Sequence, residues 1–244
     1  MSPYTAEFIG TMILVLLGNG VCANVNLSRT LGNNAGWIVI ATGWGLAVAF
    51  AVYLVNAHSG AHINPAVTLA LASIGQFAWE RVGGYLVAQL GGAIVGATLV
   101  WLTYLSHWKE TDDEGSIRGC FCTGPAIPNP VSNLITEAVG TFVLVLGVLA
   151  ILTPANLIPN SGFKEGFAPC LVGIMVWSIG LSLGGPTGYA INPARDLGPR
   201  IAHAILPIHG KGDSNWRYSW IPVVGPIVGG VVGAFCYQAL WPAG

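Results

Sequence analysis

The spacing of charged residues constrains this chain more than any other feature. Six stretches contain no Asp, Glu, Lys or Arg, and they lie between Glu7 and Arg29, Arg29 and Glu80, Arg81 and Lys109, Glu137 and Lys164, Glu165 and Arg195, and from Arg217 to the end. A helix that crosses a bilayer needs about 20 predominantly apolar residues. Only 8% of the residues are charged, whereas soluble domains carry roughly 25%. The sequence therefore predicts an all-α membrane protein.

Five of the six stretches are suited to one membrane span each, and the stretch from Thr30 to Trp79 is too long for one helix. Two further segments, Pro65–Ser73 and a segment that starts at Pro193, are predicted to be short helices that do not cross the bilayer. Pro199 predicts a kink or an early end in the second of these. The predicted spans are Pro3–Cys22, Trp37–Val55, Val82–Leu105, Leu134–Leu152, Phe167–Leu183 and Trp220–Leu240.

An Asn-Pro-Ala motif precedes each short helix, at Asn64 and at Asn192. Asparagine is a good N-cap, and proline suits the first helical position. The residues before the motifs, 56–63 and 184–191, are predicted to be irregular. Irregular backbone at membrane depth is tolerated only where protein buries it or where it lines a water-filled cavity. We therefore expect two re-entrant loops, each ending in a half-helix.

The chain also contains an internal repeat. Glu7-Phe-Ile-Gly-Thr matches Glu137-Ala-Val-Gly-Thr at an offset of 130 residues (137 − 7), and the two Asn-Pro-Ala motifs are offset by 128 (192 − 64). The predicted organisation is a first repeat at 1–106, a connecting loop at 107–133 and a second repeat at 134–244. Each repeat has three spans, an odd number, so the second copy is inverted, as in many transport proteins. Inversion predicts that Asn64 and Asn192 meet near the bilayer midplane.

This arrangement predicts a pore for small uncharged hydroxylic solutes. Removing water from one hydroxyl costs roughly 2–7 kcal/mol without replacement, and a bare ion costs tens of kcal/mol. Loop carbonyls and the two asparagine amides replace the water around a hydroxyl but not around an ion. Each half-helix N-terminus carries about +0.5 charge, which repels cations. Arg195 either lines the lumen or only ties the loops together, and we favour the lumen.

These motifs, together with the extension Asn-Pro-Ala-Arg-Asp, resemble the major intrinsic protein family, which comprises aquaporins and glycerol facilitators. The resemblance implies a selectivity filter of Trp44, Gly180, Tyr189 and Arg195. This set resembles the glycerol-conducting branch of the family, of which Asp196 is a further mark. Bacterial glycerol facilitators often have Phe at the Tyr189 position, so the preferred solute stays open. The family also implies a homotetramer in the cell membrane with cytoplasmic termini, although the distribution of Lys and Arg favours the opposite orientation.

The predicted site therefore has four parts. The pore centre is Asn64 and Asn192, and the filter is the set of four just named. Glu7, Glu137 and Asp196 are predicted structural supports, although the two glutamates could instead form a proton relay. His203 is expected to face solvent. The predicted pore lining and carbonyl ladder consist of His58, Ser59, Gly60, Ala61, His62, Gly188 and Ala190.

Passive conduction of glycerol and related solutes, together with water, is the preferred function. A coupled secondary transporter on the same inverted plan and a structural junction protein are the alternatives. No nucleophile–base pair or metal-ligand pattern occurs in the sequence, so neither an enzyme nor a cofactor or metal is predicted. The net charge of −1 gives no indication of nucleic-acid binding.

Overall fold

The computed structural model describes residues 1–153 and 166–241, and the regular secondary structure in these ranges is helical. One 3₁₀ turn, Trp108–Glu110, lies in the segment that was predicted to be a connecting loop. The nine α-helices of the described ranges are α1 Pro3–Asn26, α2 Trp37–Ser59, α3 Pro65–Ser73, α4 Trp79–Thr103, α5 Glu114–Gly119, α6 Pro130–Leu152, α7 Ala168–Leu183, α8 Pro193–Ile205 and α9 Ile221–Leu240.

Five helices in the described residues, α1, α2, α4, α6 and α9, are long and apolar enough to cross a membrane. The apolar helix α7 is shorter, with 16 residues, and corresponds to the predicted fifth span. The six predicted spans all coincide with helices, and their ends differ from the predicted ends by only a few residues. The part of the second repeat at 154–165 lies outside the described residues.

Helix α2 is longer than its pattern predicts. It continues to Ser59, so the prediction that residues 56–59 are irregular is wrong. The helix ends where Gly60 adopts a left-handed φ of +82° and donates its N–H to the Asn56 carbonyl at 3.0 Å. Glycine is the residue that adopts this conformation at least cost. The stop signal is therefore Gly60, and the polar residues before it are compatible with helix.

The short helices α3 and α8 begin where the sequence predicts. The side chain of Asn64 caps α3, the side chain of Asn192 caps α8, and a proline occupies the first turn of each. Helix α8 continues through Pro199 to Ile205, so the early end does not occur. Proline removes one helical hydrogen bond, and the rest of α8 maintains the helix around that gap.

Glycines allow close contact in two helix pairs, α1 with α4 and α6 with α9, and the two contacts are equivalent in the repeat. A Cβ on Gly96 of α4 would lie 2.5 Å from the Met12 carbonyl oxygen of α1, and a Cβ on Gly233 of α9 would lie 2.9 Å from the Phe142 carbonyl oxygen of α6. Met12 and Phe142 are 130 residues apart (142 − 12), which is the offset of the sequence repeat. Small residues at such positions let membrane helices approach closely.

Candidate functional site: a polar pore between two re-entrant loops

The two re-entrant loops, residues 60–64 and 188–192, have the same backbone conformation. Both contain β-branched isoleucine at positive φ, which is a genuine outlier for such a residue. A residue of this kind costs of order 1–3 kcal/mol and persists only where its surroundings determine it. The φ values are +82°, +49° and +42° at Gly60, Ala61 and Ile63, and +81°, +38° and +43° at Gly188, Tyr189 and Ile191.

A buried carboxyl group holds each loop in this conformation. Glu7 accepts hydrogen bonds from the N–H groups of His62 at 2.9 Å and Ile63 at 2.6 Å. Glu137 accepts the equivalent bonds from Ala190 at 2.9 Å and Ile191 at 2.8 Å. Both glutamates are fully buried. The carboxyl groups therefore satisfy N–H groups that the strained loops cannot pair internally.

Glu7 belongs to a larger polar network than Glu137. The Gln89 amide donates to Glu7 at 2.8 Å and to the Thr68 hydroxyl at 3.0 Å, and the Ser59 hydroxyl donates to Glu7 at 2.6 Å. The ring of His62 makes a 3.1 Å hydrogen bond with the same Thr68 hydroxyl. These bonds connect α1, α3 and α4 behind the first loop and orient the ring of His62.

The two asparagines meet through reciprocal hydrogen bonds. The Asn64 amide donates to the Ile191 carbonyl at 2.8 Å, and the Asn192 amide donates to the Ile63 carbonyl at 2.8 Å. Each side-chain oxygen accepts from the first turn of its own half-helix, from Ala66 in α3 and from Ala194 in α8. An amide has two N–H donors. One N–H of each asparagine remains after these bonds.

A cavity of about 350 Å³ runs past both asparagines. At one end it is bounded by Trp44, Tyr189 and Arg195, and other wall residues include Asn56 and Gln76. Most of the remaining wall is aliphatic, from α1, α2, α3, α6 and α7. The predicted residues that line it are Trp44, Gly60, Ala61, His62, Asn64, Tyr189, Ala190, Asn192 and Arg195.

Four residues that were predicted to line the pore or its filter do not line this cavity. His58 and Ser59 lie in the last turn of α2, where His58 is exposed. Gly188 is half-buried and adjoins the Thr123 side chain. Gly180 is buried beneath the ring of Tyr189. A Cβ built on Gly180 would lie only 2.7 Å from the Tyr189 Cζ atom. The absence of a side chain at Gly180 therefore makes room for that ring.

Arg195 meets Trp44 in the wall of the cavity. The guanidinium carbon lies 4.0 Å from the centre of the indole ring, a cation–π contact. Within residues 1–153 and 166–241, no protein acceptor takes a hydrogen bond from this guanidinium. Arg195 is 6% exposed, and it lines the cavity. Its N–H donors are therefore available to a solute beside an aromatic wall.

Asp196, next in the chain, faces away from the cavity and into a buried ion pair. It bonds Arg200 at 2.8 Å and accepts from both the N–H and the hydroxyl of Thr123, at 2.7 and 2.6 Å. Arg200 also donates to the carbonyls of Ser214 and Thr123. This cluster joins the connecting loop, α8 and the segment before α9. Asp196 was predicted as a support from the sequence, but its partners were not.

His203 does not face solvent as expected. Its side chain is fully buried, and its ring makes a 2.8 Å hydrogen bond with the Ser214 hydroxyl. The helix α8 extends further than Pro199 suggested and therefore carries His203 into the same buried region as Arg200.

In the described residues, no group of three or more His, Cys, Asp or Glu side chains could hold a metal ion.

The reactivity of Cys122 tests how the connecting loop packs against the buried cluster of Asp196 and Arg200. Burial, followed by the nearby Asp196 carboxylate, raises the pKa of this thiol to about 12. The thiolate is the reactive form, and only about 0.01% of this thiol is ionised at pH 8. We expect iodoacetamide to label Cys122 at least about 100-fold more slowly in folded protein than after unfolding in SDS, as measured by peptide mass spectrometry. Similar rates in both states would contradict the described packing of the loop.

Sequence reasoning missed most of the cavity wall. A signal was nevertheless available on α2, where Trp44, Val48, Val52 and Asn56 all line the cavity at intervals of four residues. Residues at this spacing share one face of a helix. Following the same face of α2 from Trp44 would have predicted that Val48, Val52 and Asn56 also line the cavity.

The spans, the re-entrant half-helices and the cavity between them, with its few polar groups, define a membrane channel. The model of the family Major intrinsic protein matches residues 1–237, so the chain belongs to the major intrinsic protein family. This membership confirms the predicted fold class of six spans, two re-entrant half-helices and an inverted repeat. It also confirms that the chain is an integral membrane protein of a channel family and not an enzyme.

Individual relatives agree with this assignment. A probable glycerol uptake facilitator protein from Thermotoga maritima is 62% identical over 241 residues, covering 99% of this chain and all of the relative. The glycerol uptake facilitator protein of Bacillus subtilis is 56% identical, covering 98% of this chain and 85% of the relative. The solved structure of the aquaglyceroporin from Plasmodium falciparum aligns with a TM-score of 0.82 at 31% identity, over 97% and 95% of the two chains.

Proposed function

We propose that this protein is a passive channel for glycerol and related small uncharged solutes, with water as a second permeant. The observation that carries the proposal is the end of the cavity, where the Arg195 guanidinium, with its free donors, lies over the ring of Trp44, and where Tyr189 lines the same cavity. A small polyol has a carbon edge and a hydroxyl edge. The aromatic rings can pack against the carbon edge, and the guanidinium can donate hydrogen bonds to the hydroxyl edge.

The rest of the cavity continues the same chemistry. Gly60, Ala61, His62 and Ala190 line the cavity and belong to the strained loops, so we assign their carbonyl groups to the lumen. The two asparagines each retain one N–H. These groups replace the water lost by each hydroxyl, which otherwise costs roughly 2–7 kcal/mol. His58, Ser59 and Gly188 do not line the cavity, and their place in the ladder remains a prediction.

Ion exclusion follows from charge and desolvation. Two half-helices begin at the asparagines, and each N-terminus contributes about +0.5 charge at the pore centre. The Arg195 guanidinium adds a full positive charge beside Trp44. Cations are therefore repelled at two positions, the pore centre and Arg195. Protons that move along a single file of water molecules are repelled at the same two positions.

Assembly and topology form part of the same proposal. We assign a homotetramer with one pore per subunit, placed in the cell membrane with both termini in the cytoplasm. The repeats are assigned to 1–106 and 134–244, joined by 107–133. Mass measurement in detergent tests the tetramer, and protease accessibility of terminal tags in sealed vesicles tests the orientation. A stable monomer or external tags would contradict the respective assignment.

Proteoliposome swelling tests the function. Vesicles that contain the purified protein are mixed with a glycerol gradient in the absence of any ion gradient, and glycerol entry is followed by light scattering. A passive channel gives fast entry that does not saturate at low glycerol. Entry that requires a proton or sodium gradient would indicate a coupled transporter, and permeability equal to that of empty vesicles would indicate a structural protein.

Removing the Arg195 side chain should relax selectivity. Arg195→Ala takes away the positive charge and the free donors and uncovers the face of Trp44. We expect larger polyols and small cations, both excluded by the original channel, to enter proteoliposomes. Lys109→Ala, at an exposed cation, is the matched control. Unchanged selectivity in Arg195→Ala would refute its assigned place in the filter.

A further inference from the structure

Trp44 occupies a slot on the neighbouring helix α1. Its indole ring is 3% exposed, and two residues of α1, Gly18 and Cys22, contact its opposite ends. They are four residues apart and therefore lie on one face of α1. We call Gly18 and Cys22 the indole slot. Neither residue lines the cavity, so neither can contact a solute directly.

Gly18 sets how deeply the indole enters the slot. A Cβ built on Gly18 would lie within 3.0 Å of three carbons of the six-membered ring, Cε3, Cζ3 and Cη2. An indole is rigid and has no flexible end that could move aside. Any side chain at position 18 must therefore push the whole Trp44 ring away from α1.

Cys22 sets the rotation of the indole in its plane. The Trp44 Nε1–H donates to the Cys22 Sγ atom at 3.3 Å, and the thiol is 7% exposed. A buried indole N–H without an acceptor is unfavourable, so this bond favours one orientation. The glycine and the thiol thus hold the six-membered and five-membered rings of the indole respectively.

The orientation matters because the same ring contacts Arg195. The Arg195 guanidinium carbon lies 4.0 Å from the ring centre. Moving the ring off α1 would change this contact and the position of the aromatic wall at this end of the cavity. Turning the ring would remove the flat face that the guanidinium and a carbon edge share.

We propose that Gly18 and Cys22 are positioning residues that set the width and shape of the filter through Trp44. This inference rests on the proposed function, because it assumes that the Trp44 and Arg195 end of the cavity selects solutes. It assigns specificity to two residues that a solute never touches. Their contribution is the placement of the aromatic wall.

The first test compares two glycine substitutions on the same helix. Gly18→Ala should lower the ratio of glycerol to water permeability in proteoliposomes by about tenfold, because one methylene more or less in an apolar pocket changes discrimination by about 10- to 200-fold. Gly20→Ala is the matched control, since a Cβ at Gly20 meets no atom within 4 Å. Its ratio should stay at the original value. Equal ratios in the two variants would overturn the proposal.

The second test asks whether Gly18 acts through Trp44. In a Trp44→Phe background the smaller ring leaves space for the alanine, so adding Gly18→Ala should change the permeability ratio little. A residue with a purely structural role would show the same effect in both backgrounds, because effects of uncoupled sites add. An undiminished effect of Gly18→Ala in the Trp44→Phe background would therefore refute the assignment.

A third pair of variants does not depend on whether Gly18→Ala folds. Cys22→Val removes the acceptor and should lower the permeability ratio, whereas Cys22→Ser keeps an acceptor and should restore at least part of it. Identical ratios in the two variants would overturn the role of the thiol. If the unmodified protein conducts no glycerol, the proposed function fails instead. If it conducts glycerol and every slot variant keeps its ratio, only this inference fails.

Discussion

A channel that carries Gly180→His together with Trp44→Phe will lose glycerol conduction by at least about tenfold and will lose less of its water conduction. Gly180 is covered by the Tyr189 ring, and a Cβ there would lie 2.7 Å from Cζ and 3.0 Å from Cε2 of that ring. An imidazole at this position must displace the ring. The filter then has less room for a carbon-bearing solute.

The ring of Tyr189 has no other place to go on that side. A Cβ on Gly184 would lie 2.6 Å from the Tyr189 Cδ1 atom, and Trp37 packs edge-on against the same ring at 5.7 Å between ring centres. Trp37 is itself held by a 2.9 Å hydrogen bond to the Gly180 carbonyl. The displaced ring therefore moves toward the lumen. Trp44→Phe simultaneously reduces the apolar wall that a polyol needs.

Stopped-flow light scattering of proteoliposomes in glycerol and in sucrose gradients measures the two permeabilities. Gly185→His is the matched control, because a Cβ at Gly185 meets no atom within 4 Å. It should leave both permeabilities unchanged. If the double variant loses glycerol and water conduction in equal proportion, the filter does not select by size and apolar contact.

Glu137→Leu will destabilise the folded channel more than any surface substitution. The change leaves the N–H groups of Ala190 and Ile191 buried without an acceptor. Each orphaned N–H costs about 1–3 kcal/mol, so the two together cost about 2–6 kcal/mol. Ile191 also loses the hydrogen bond that helps to maintain its positive φ angle. The second loop should leave its conformation, and conduction should be lost.

Thermal unfolding in detergent, followed by loss of the monodisperse peak, measures the destabilisation. Glu137→Gln keeps one acceptor oxygen and should be intermediate, and Glu80→Leu, at an exposed glutamate, should resemble the original protein. If Glu137→Leu unfolds at the same temperature as the original protein, the conformation of the second loop does not depend on this carboxyl group. A proton-relay role would instead appear as altered proton flux in a fully stable Glu137→Gln variant.

Much of the fold could be predicted because its signals are local. The half-helices start at Pro65 and Pro193 because asparagine caps and proline positions act within one helical turn. The spans follow from runs of apolar residues, and the repeat follows from comparing one half with the other. The errors, at residues 56–59 and at Pro199, were also local, since polar residues and proline bias a helix without always ending it.

The contacts of the filter could not be predicted in the same way. Family resemblance named Gly180 and Tyr189 as separate filter positions, but only packing shows that the ring of one covers the other. The partners of Asp196, which are Thr123 and Arg200, lie 73 and 4 residues away. No periodicity in the sequence indicates which loop reaches that carboxylate.

The sequence by itself determined the number of spans, the two capped half-helices and the inverted repeat, because hydropathy and capping depend on neighbours along the chain. Only the tertiary structure decided the depth of Trp44 in its slot, the pairing of Asn64 with Ile191 and the burial of His203. These features depend on which helix faces which across the bundle. Such distances are set by close packing of the whole chain.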